Sequence, residues 1–206
     1  MTADLSPHAL RTTAPVLERA ARLFDEHGSR GMPMSVLTQR LAVETDIDAA
    51  DLRRAFPTRL DLIHAVVLHA THEHVQDRLA ADDPCASATE RMAGLVRGHI
   101  TGGWKHRTAL ALSRELMPTL RAIDPARYRE LAGLYRALRE RVREIVLAGV
   151  AEGRFMVTDT GGAADKVLET FDSLVHWYEP EAGLSLRDLS EVYVDLVIHH
   201  KLGCPR

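Results

Sequence analysis

The chain has 206 residues, 46% of them hydrophobic and 27% charged, with a net charge of −3. That is enough for one domain of ordinary size, or a small domain fused to a larger one, with ample material for a core. No apolar run approaches the roughly 20 residues of a membrane span, and the N-terminus MTADLSPHAL lacks the basic and apolar regions of a signal peptide.

Aromatics are scarce at 5%, and no long β-branched alternation appears. Ala, Leu, Arg and Glu dominate, which favours helix. Cys85 and Cys204 stand far apart, and reduced thiols in a cytoplasm are the simplest reading. Over residues 1–62 eight arginines and no lysine face nine acids. Any contact with DNA therefore needs a local basic patch, because phosphate neutralisation supplies most non-specific affinity.

Residues 1–13 read as a loose arm, with Ser6-Pro7 able to start a helical turn. The first firm helix is expected over Ala14–His27. Val16, Leu17, Ala20, Leu23 and Phe24 form its apolar stripe, and Gly28 ends it. Ser35 is placed to cap a helix running through Leu41 and Ala42. Asp46-Ile47-Asp48 reads as a turn, since Asp tolerates a left-handed backbone. Asp48 then caps a helix over Ala49–Phe56 that buries Leu52 and Phe56. Pro57 stops it, and Thr58-x-x-Asp61 opens the next helix in the manner of a capping box. Two short helices joined by a tight turn, the second presenting Arg53 and Arg54, suggest a DNA-binding helix-turn-helix.

The helix starting near Thr58 meets no breaker before Asp82-Asp83-Pro84. Its inward side is read as Leu62, Ile63, Val66, Val67, His69, Ala70 and Leu79. Ser87-x-x-Glu90 is a capping box for a helix to about Ile100, which Gly102-Gly103 is expected to break. Lys105–Met117 is expected to be helical and Pro118 to stop it. Asp124-Pro125 starts the longest helix, to about Ala151. Tyr128, Leu131, Tyr135, Leu138, Val142 and Ile145 step along it as a short heptad seam. Thr158–Gly162 reads as a polar loop. Two helices follow, 164–178 and a last one capped by Ser185-x-x-Asp188 and running to about Leu202. The last is read with Leu189, Val192, Tyr193, Leu196 and Val197 on its face.

The expectation is an all-α fold of about nine helices. A three-helix helix-turn-helix domain covers 1–60, and a helical ligand-binding and dimerisation domain covers 61–206.

The run Val16-Leu17-x-x-Ala20-x-x-Leu23-Phe24-x-x-x-Gly28, then Leu41-Ala42, Ile47, Leu52, Phe56, Arg59 and Leu62, resembles the N-terminal domain of the TetR family of transcriptional regulators. Ala151-Glu152-Gly153-Arg154-Phe155, His176-Trp177-Tyr178-Glu179-Pro180, Leu184-Ser185 and Asp195-Leu196-Val197 are similar to a branch of that family responding to acyl-CoA or steroid-derived thioesters. The chain departs from the family pattern where it contacts DNA. Asp46 stands for the usual turn Gly, and Arg53 and Ala55 stand for the usual Tyr and His. Arg59 keeps the charge of the Lys that often follows.

The resemblance implies a cytoplasmic, homodimeric repressor that binds a palindromic operator in double-stranded DNA and is released by a small hydrophobic or acyl-CoA-like effector. Helices near 164–178 and 186–202 form the dimer interface. Arg40, Arg53, Arg54 and Arg59 are candidates for phosphate contacts. Thr38, Gln39, Ala49, Ala50 and Asp51 are candidates for base edges or positioning. Trp104, Arg107, Leu112, Met117, Phe171, His176 and Trp177 are candidates for an effector pocket. His106 is a further candidate for the pocket lining, and Arg107 or Arg114 is placed to hold an anionic group. His64, His69, His72 and His74 carry helical metal-ligand spacing only in part, so no metal and no cofactor are expected. No glycine-rich phosphate loop or nucleophile elbow appears, and no enzyme is expected. The alternative is a protein of the same fold that has lost DNA binding and carries a lipid or small molecule.

Overall fold

The helical composition produces nine α-helices among the described residues. A computed structural model describes the backbone over 7–174 and 183–206. In order these are α1 (Pro7–His27), α2 (Met34–Thr45), α3 (Ala49–Ala55), α4 (Arg59–Ala81), α5 (Ala88–Lys105), α6 (Arg107–Ile123), α7 (Pro125–Ala151), α8 (Thr160–Leu174) and α9 (Leu186–Asp195). A π-helical turn, Leu196–Lys201, continues α9.

The residues form two compact units. The first takes residues 1–71 and 108–128, and the second 72–107 and 129–206. The cut within α4 thus lies at Thr71/His72, and α6 returns to the first unit. In that unit α1 buries Val16, Leu17, Ala20, Leu23 and Phe24, α2 buries Leu37 and Leu41, and α3 buries Leu52. Leu62, Val66 and Val67 of α4 complete this core with Leu112, Leu116 and Leu120 of α6. Two polar contacts tie α6 to the α1 region: Thr108 Oγ1 donates to Asp25 Oδ1 at 2.7 Å and Ser29 Oγ to Glu115 Oε2 at 3.3 Å.

The second unit is centred on α5. Met92, Leu95, Val96 and Ile100 meet Val142, Ile145 and Val146 of α7, Val167 and Phe171 of α8, and Leu189, Tyr193 and Val197 of the C-terminal helix. Arg97 Nε and Nη2 clasp both carboxylate oxygens of Glu191 at 2.7 and 2.8 Å, joining α5 to α9. Asp82 accepts from Arg91 and from Arg141, each at 2.8 Å, where α4 ends.

Several expected boundaries move. α1 begins at Pro7 and runs through Pro15, so the arm is shorter than the sequence suggests. Pro33, not Ser35, precedes α2, with no side-chain cap. Gly102-Gly103 do not break α5, which continues to Lys105. Pro118 does not stop α6. A proline inside a helix costs about 3 kcal/mol. Continuing the helix buries Leu120 completely, and a buried leucine returns about 1.5–3 kcal/mol. α8 starts at Thr160 rather than 164, because Asp159 caps it by accepting from the Gly162 N–H at 3.0 Å. On α9, Val192 is exposed rather than packed within the chain. The expected end of the 164–178 helix lies outside the described residues.

Candidate functional site

The helix-turn-helix is set by two aspartates. Asp46 ends α2 in the left-handed conformation (φ 54°, ψ 35°), the sole non-glycine with positive φ among the described residues. A short polar side chain makes that conformation tolerable. Asp48 Oδ1 accepts the Ala50 N–H at 2.6 Å and fixes the start of α3. Leu52 and Phe56 face the core, so the opposite side of α3 presents Ala50, Asp51, Arg53 and Arg54 to solvent. Arg54 pairs with Asp51 at 3.0 Å, both of them well exposed. Thr58 and Asp61 cap α4 reciprocally: Asp61 Oδ2 accepts the Thr58 N–H at 2.8 Å, and Thr58 Oγ1 accepts the Asp61 N–H at 3.2 Å.

On α2, Gln39 and Arg40 are exposed beside Val36, Val43 and Glu44, which together line a shallow surface groove. Arg40 Nη1 contacts His27 Nε2 at 3.1 Å. Ala49 is half-buried at the start of α3.

Two of the candidate contacts sit differently. Thr38 is 1% exposed, and its hydroxyl donates to the carbonyls of Met34 and Ser35. Its side chain packs α2 and offers no surface to a ligand. The Arg59 guanidinium donates to the carbonyl oxygens of Ser29 and Met32. Arg59 is thus a strut for the loop between α1 and α2.

The candidate effector residues divide between the units. Leu112 and Met117 belong to the first, and Leu112 is core there. Trp104, Arg107 and Phe171 belong to the second. The Arg107 guanidinium lies 4.6 Å from the centre of the Trp104 ring, and its Nη1 donates to the Trp104 carbonyl at 3.3 Å. Phe171 is buried and stacks on His99, with ring centres 4.3 Å apart. His176 and Trp177 lie outside the described residues.

Of the α4 histidines, His64 and His74 are buried and His72 is exposed. Burial first, and then the Arg127 charge, hold the His64 pKa below its usual value. Among the described residues no group of three or more His, Cys, Asp or Glu side chains is arranged to hold a metal ion. No helix there is long and apolar enough to cross a membrane.

The second unit contains a buried polar cluster that joins His74 to two residues without a sequence motif, Arg78 and His99. His74 and Arg78 lie one turn apart on α4, and His99 faces them from α5. Arg78 Nη1 donates to His99 Nδ1 at 2.6 Å. Arg78 Nε donates to the His74 carbonyl at 2.7 Å. The His74 and His99 ring centres are 5.1 Å apart. Burial pushes the His74 pKa down to about 2, helped by the Arg78 charge. The same causes, in the same order, push His99 well below its usual value. Both rings are therefore neutral at pH 7. A signal was present in the sequence. Ala70, His74 and Arg78 continue the apolar stripe of α4 at spacing four, and Gly94, Gly98 and Gly102 repeat at spacing four on α5.

Residues 85–200 match the family described as tetracyclin repressor-like, C-terminal domain. No curated protein matches the chain by sequence. Among solved structures, the chain is similar to a tetR-family regulatory protein from Rhodococcus RHA1 (21% identity, 95% of this chain and 99% of that chain, TM-score 0.78). It is similar to the ketosteroid transcriptional regulator KstR2 of Mycobacterium tuberculosis (20% identity, 92% and 94%, TM-score 0.69). It is also similar to AibR in complex with isovaleryl coenzyme A and operator DNA (17% identity, 91% and 98%, TM-score 0.72).

Proposed function

We propose that this chain, which belongs to the TetR family of transcriptional regulators, binds a palindromic operator as a homodimer and is released by a small apolar effector. The observation that carries the reading is the exposed side of α3. Asp46 and Asp48 hold a seven-residue helix whose solvent face is Ala50, Asp51, Arg53 and Arg54. Arg53 and Arg54 meet phosphate oxygens, and Arg40 and Gln39 flank them from α2. Asp51 accepts from a cytosine N4 where the operator provides one. Two such helices in a dimer read half-sites roughly 34 Å apart.

The effector binds in the second unit, where Phe171 and the buried α4–α5 residues gather. Similarity to AibR and KstR2 supports an apolar or acyl-CoA-like molecule. The dimer forms through α8 and α9, the helices near 164–178 and 186–202, and the exposed Val192 is available to that interface. An effector that prefers the DNA-free state by about 1–3 kcal/mol gives useful coupling. A gel-shift titration against the DNA flanking the protein's own gene tests this. A retarded complex that low-millimolar apolar acids or their thioesters dissolve supports it. Absence of any complex at low salt, with folded dimer present, contradicts it.

One observation favours the alternative of a DNA-free small-molecule carrier. Arg59 is committed to the loop carbonyls and Arg54 is paired with Asp51, so the cationic face is thinner than four arginines suggest. The same titration separates the two readings.

A further inference from the structure

The second unit buries a cation with no carboxylate in contact among the described residues. Arg78 is 4% exposed. Its Nε and Nη1 are used by the His74 carbonyl and by His99, but its Nη2 has no hydrogen-bond partner there. Neither ring nitrogen of His74, 3% exposed, has one either. Elsewhere in the unit, arginines meet acids: Arg91 and Arg141 share Asp82, and Arg97 holds Glu191. A guanidinium removed from water without a counter-ion is costly, and so is each unsatisfied buried donor. Burial lowers the Arg78 pKa to about 9, against smaller raising effects of Tyr135 and Asp77.

The cluster also borders open space. A cleft of about 270 Å³ runs between α4 and α5, with His74 and Arg78 on one wall and Gly94, Gly98 and Gly102 on the other. The exposed Asp77 and Lys105 stand at its rim. Gly94 faces open space, while Gly98 and Gly102 let the Arg78 and His74 side chains pack close against α5. A Cβ at Gly98 would lie 3.3 Å from Arg78 Cγ, and one at Gly102 would lie 2.7 Å from His74 Nδ1.

We propose that Arg78 and His74 anchor the carboxylate of a small apolar organic acid, with His99 orienting the guanidinium, and that this acid is the effector class of the second unit. The inference rests on reading that unit as the effector-binding part. The free Arg78 Nη2 donates to one carboxylate oxygen, and the N–H of neutral His74 donates to the other. One carboxylate neutralises one guanidinium. A phosphate dianion brings a charge that this set does not match. Ala81 and the three glycines give the cleft a mostly apolar lining for the rest of the acid.

The test uses the intact protein and isothermal titration with hexanoate and benzoate, their amides, and hexanoyl coenzyme A. The acids are expected to bind at millimolar concentration or below, and the amides about tenfold more weakly, because a buried charge-assisted pair is worth a decade or more. Arg78→Met should abolish the preference for acid over amide while the melting temperature holds or rises. Arg97→Met, on the surface pair with Glu191, should leave the preference intact. The proposal is overturned if neither acid saturates the wild type, if acid and amide bind alike, if the coenzyme A ester binds more tightly than the acid, or if Arg78→Met keeps the preference. Operator titration of the same protein without acid separates the two readings. No DNA binding at low salt with the acid preference kept fails the regulator reading alone, and DNA binding with no acid preference fails this one alone.

Discussion

Gly102 and His74 approach more closely than a side chain at position 102 would permit: a Cβ on Gly102 would lie 2.7 Å from His74 Nδ1. Gly102 lies within α5 and faces His74 of α4, so the glycine is there for space and not for backbone freedom. Gly102→Ala should destabilise the protein by about 1–3 kcal/mol, the usual cost of overpacking a tight interior. Gly94→Ala, with nothing within 4 Å of its added carbon, should stabilise by about 0.4–1 kcal/mol. Urea unfolding of the two variants checks the contrast in sign.

The buried histidines make stability depend on pH. The folded-state pKa values of His74 and His99 are depressed, to about 2 for His74. Their unfolded values are about 6.5. Below that value the unfolded chain takes up protons that the folded chain refuses. Stability is therefore full above pH 6.5 and falls as pH drops towards the folded values, by up to about 1.4 kcal/mol per unit for each ring. His74→Gln and His99→Gln should each flatten the fall in melting temperature between pH 6.5 and pH 4. A slope unchanged in both variants would contradict the assignment of neutral buried rings.

Asp48 supplies the cap of α3 through a 2.6 Å bond to the Ala50 N–H. Asp48→Ala should cost about 0.5–2 kcal/mol, and Asp48→Ser much less, since serine caps equally well. Thermal denaturation of both variants measures it.

The arginines of the first unit should separate by role. Arg53→Ala should weaken DNA binding for all sequences and reduce the salt slope by about one. Arg59→Ala should act instead on stability, because its guanidinium holds the Ser29 and Met32 carbonyls. Thr38→Val should leave the salt slope untouched, since its hydroxyl is spent within α2. Fluorescence anisotropy across a salt series distinguishes the three.

What the sequence made legible was mostly local. The Asp46 turn, the Asp48 cap, the Thr58–Asp61 box and the Ser87–Glu90 box each depend on residues within three or four positions, and the structure has all of them. Pro118 and Gly102-Gly103 have the local character of breaks, but tertiary packing outweighs their local cost: Leu120 lies in the core, and Gly102 admits His74. The Arg78–His99 contact joins residues 21 positions apart, and no local pattern encodes it. The charge of Arg59 is visible in the sequence, while its carbonyl partners 27 and 30 residues away are not.

The central claim is operator binding through α3, and a footprint on the DNA flanking the protein's own gene tests it most directly. Two protected half-sites about one helical turn apart, roughly 34 Å, lost together in Arg53→Ala at moderate salt, are the predicted result. A folded dimer that protects no site at low salt would contradict the account.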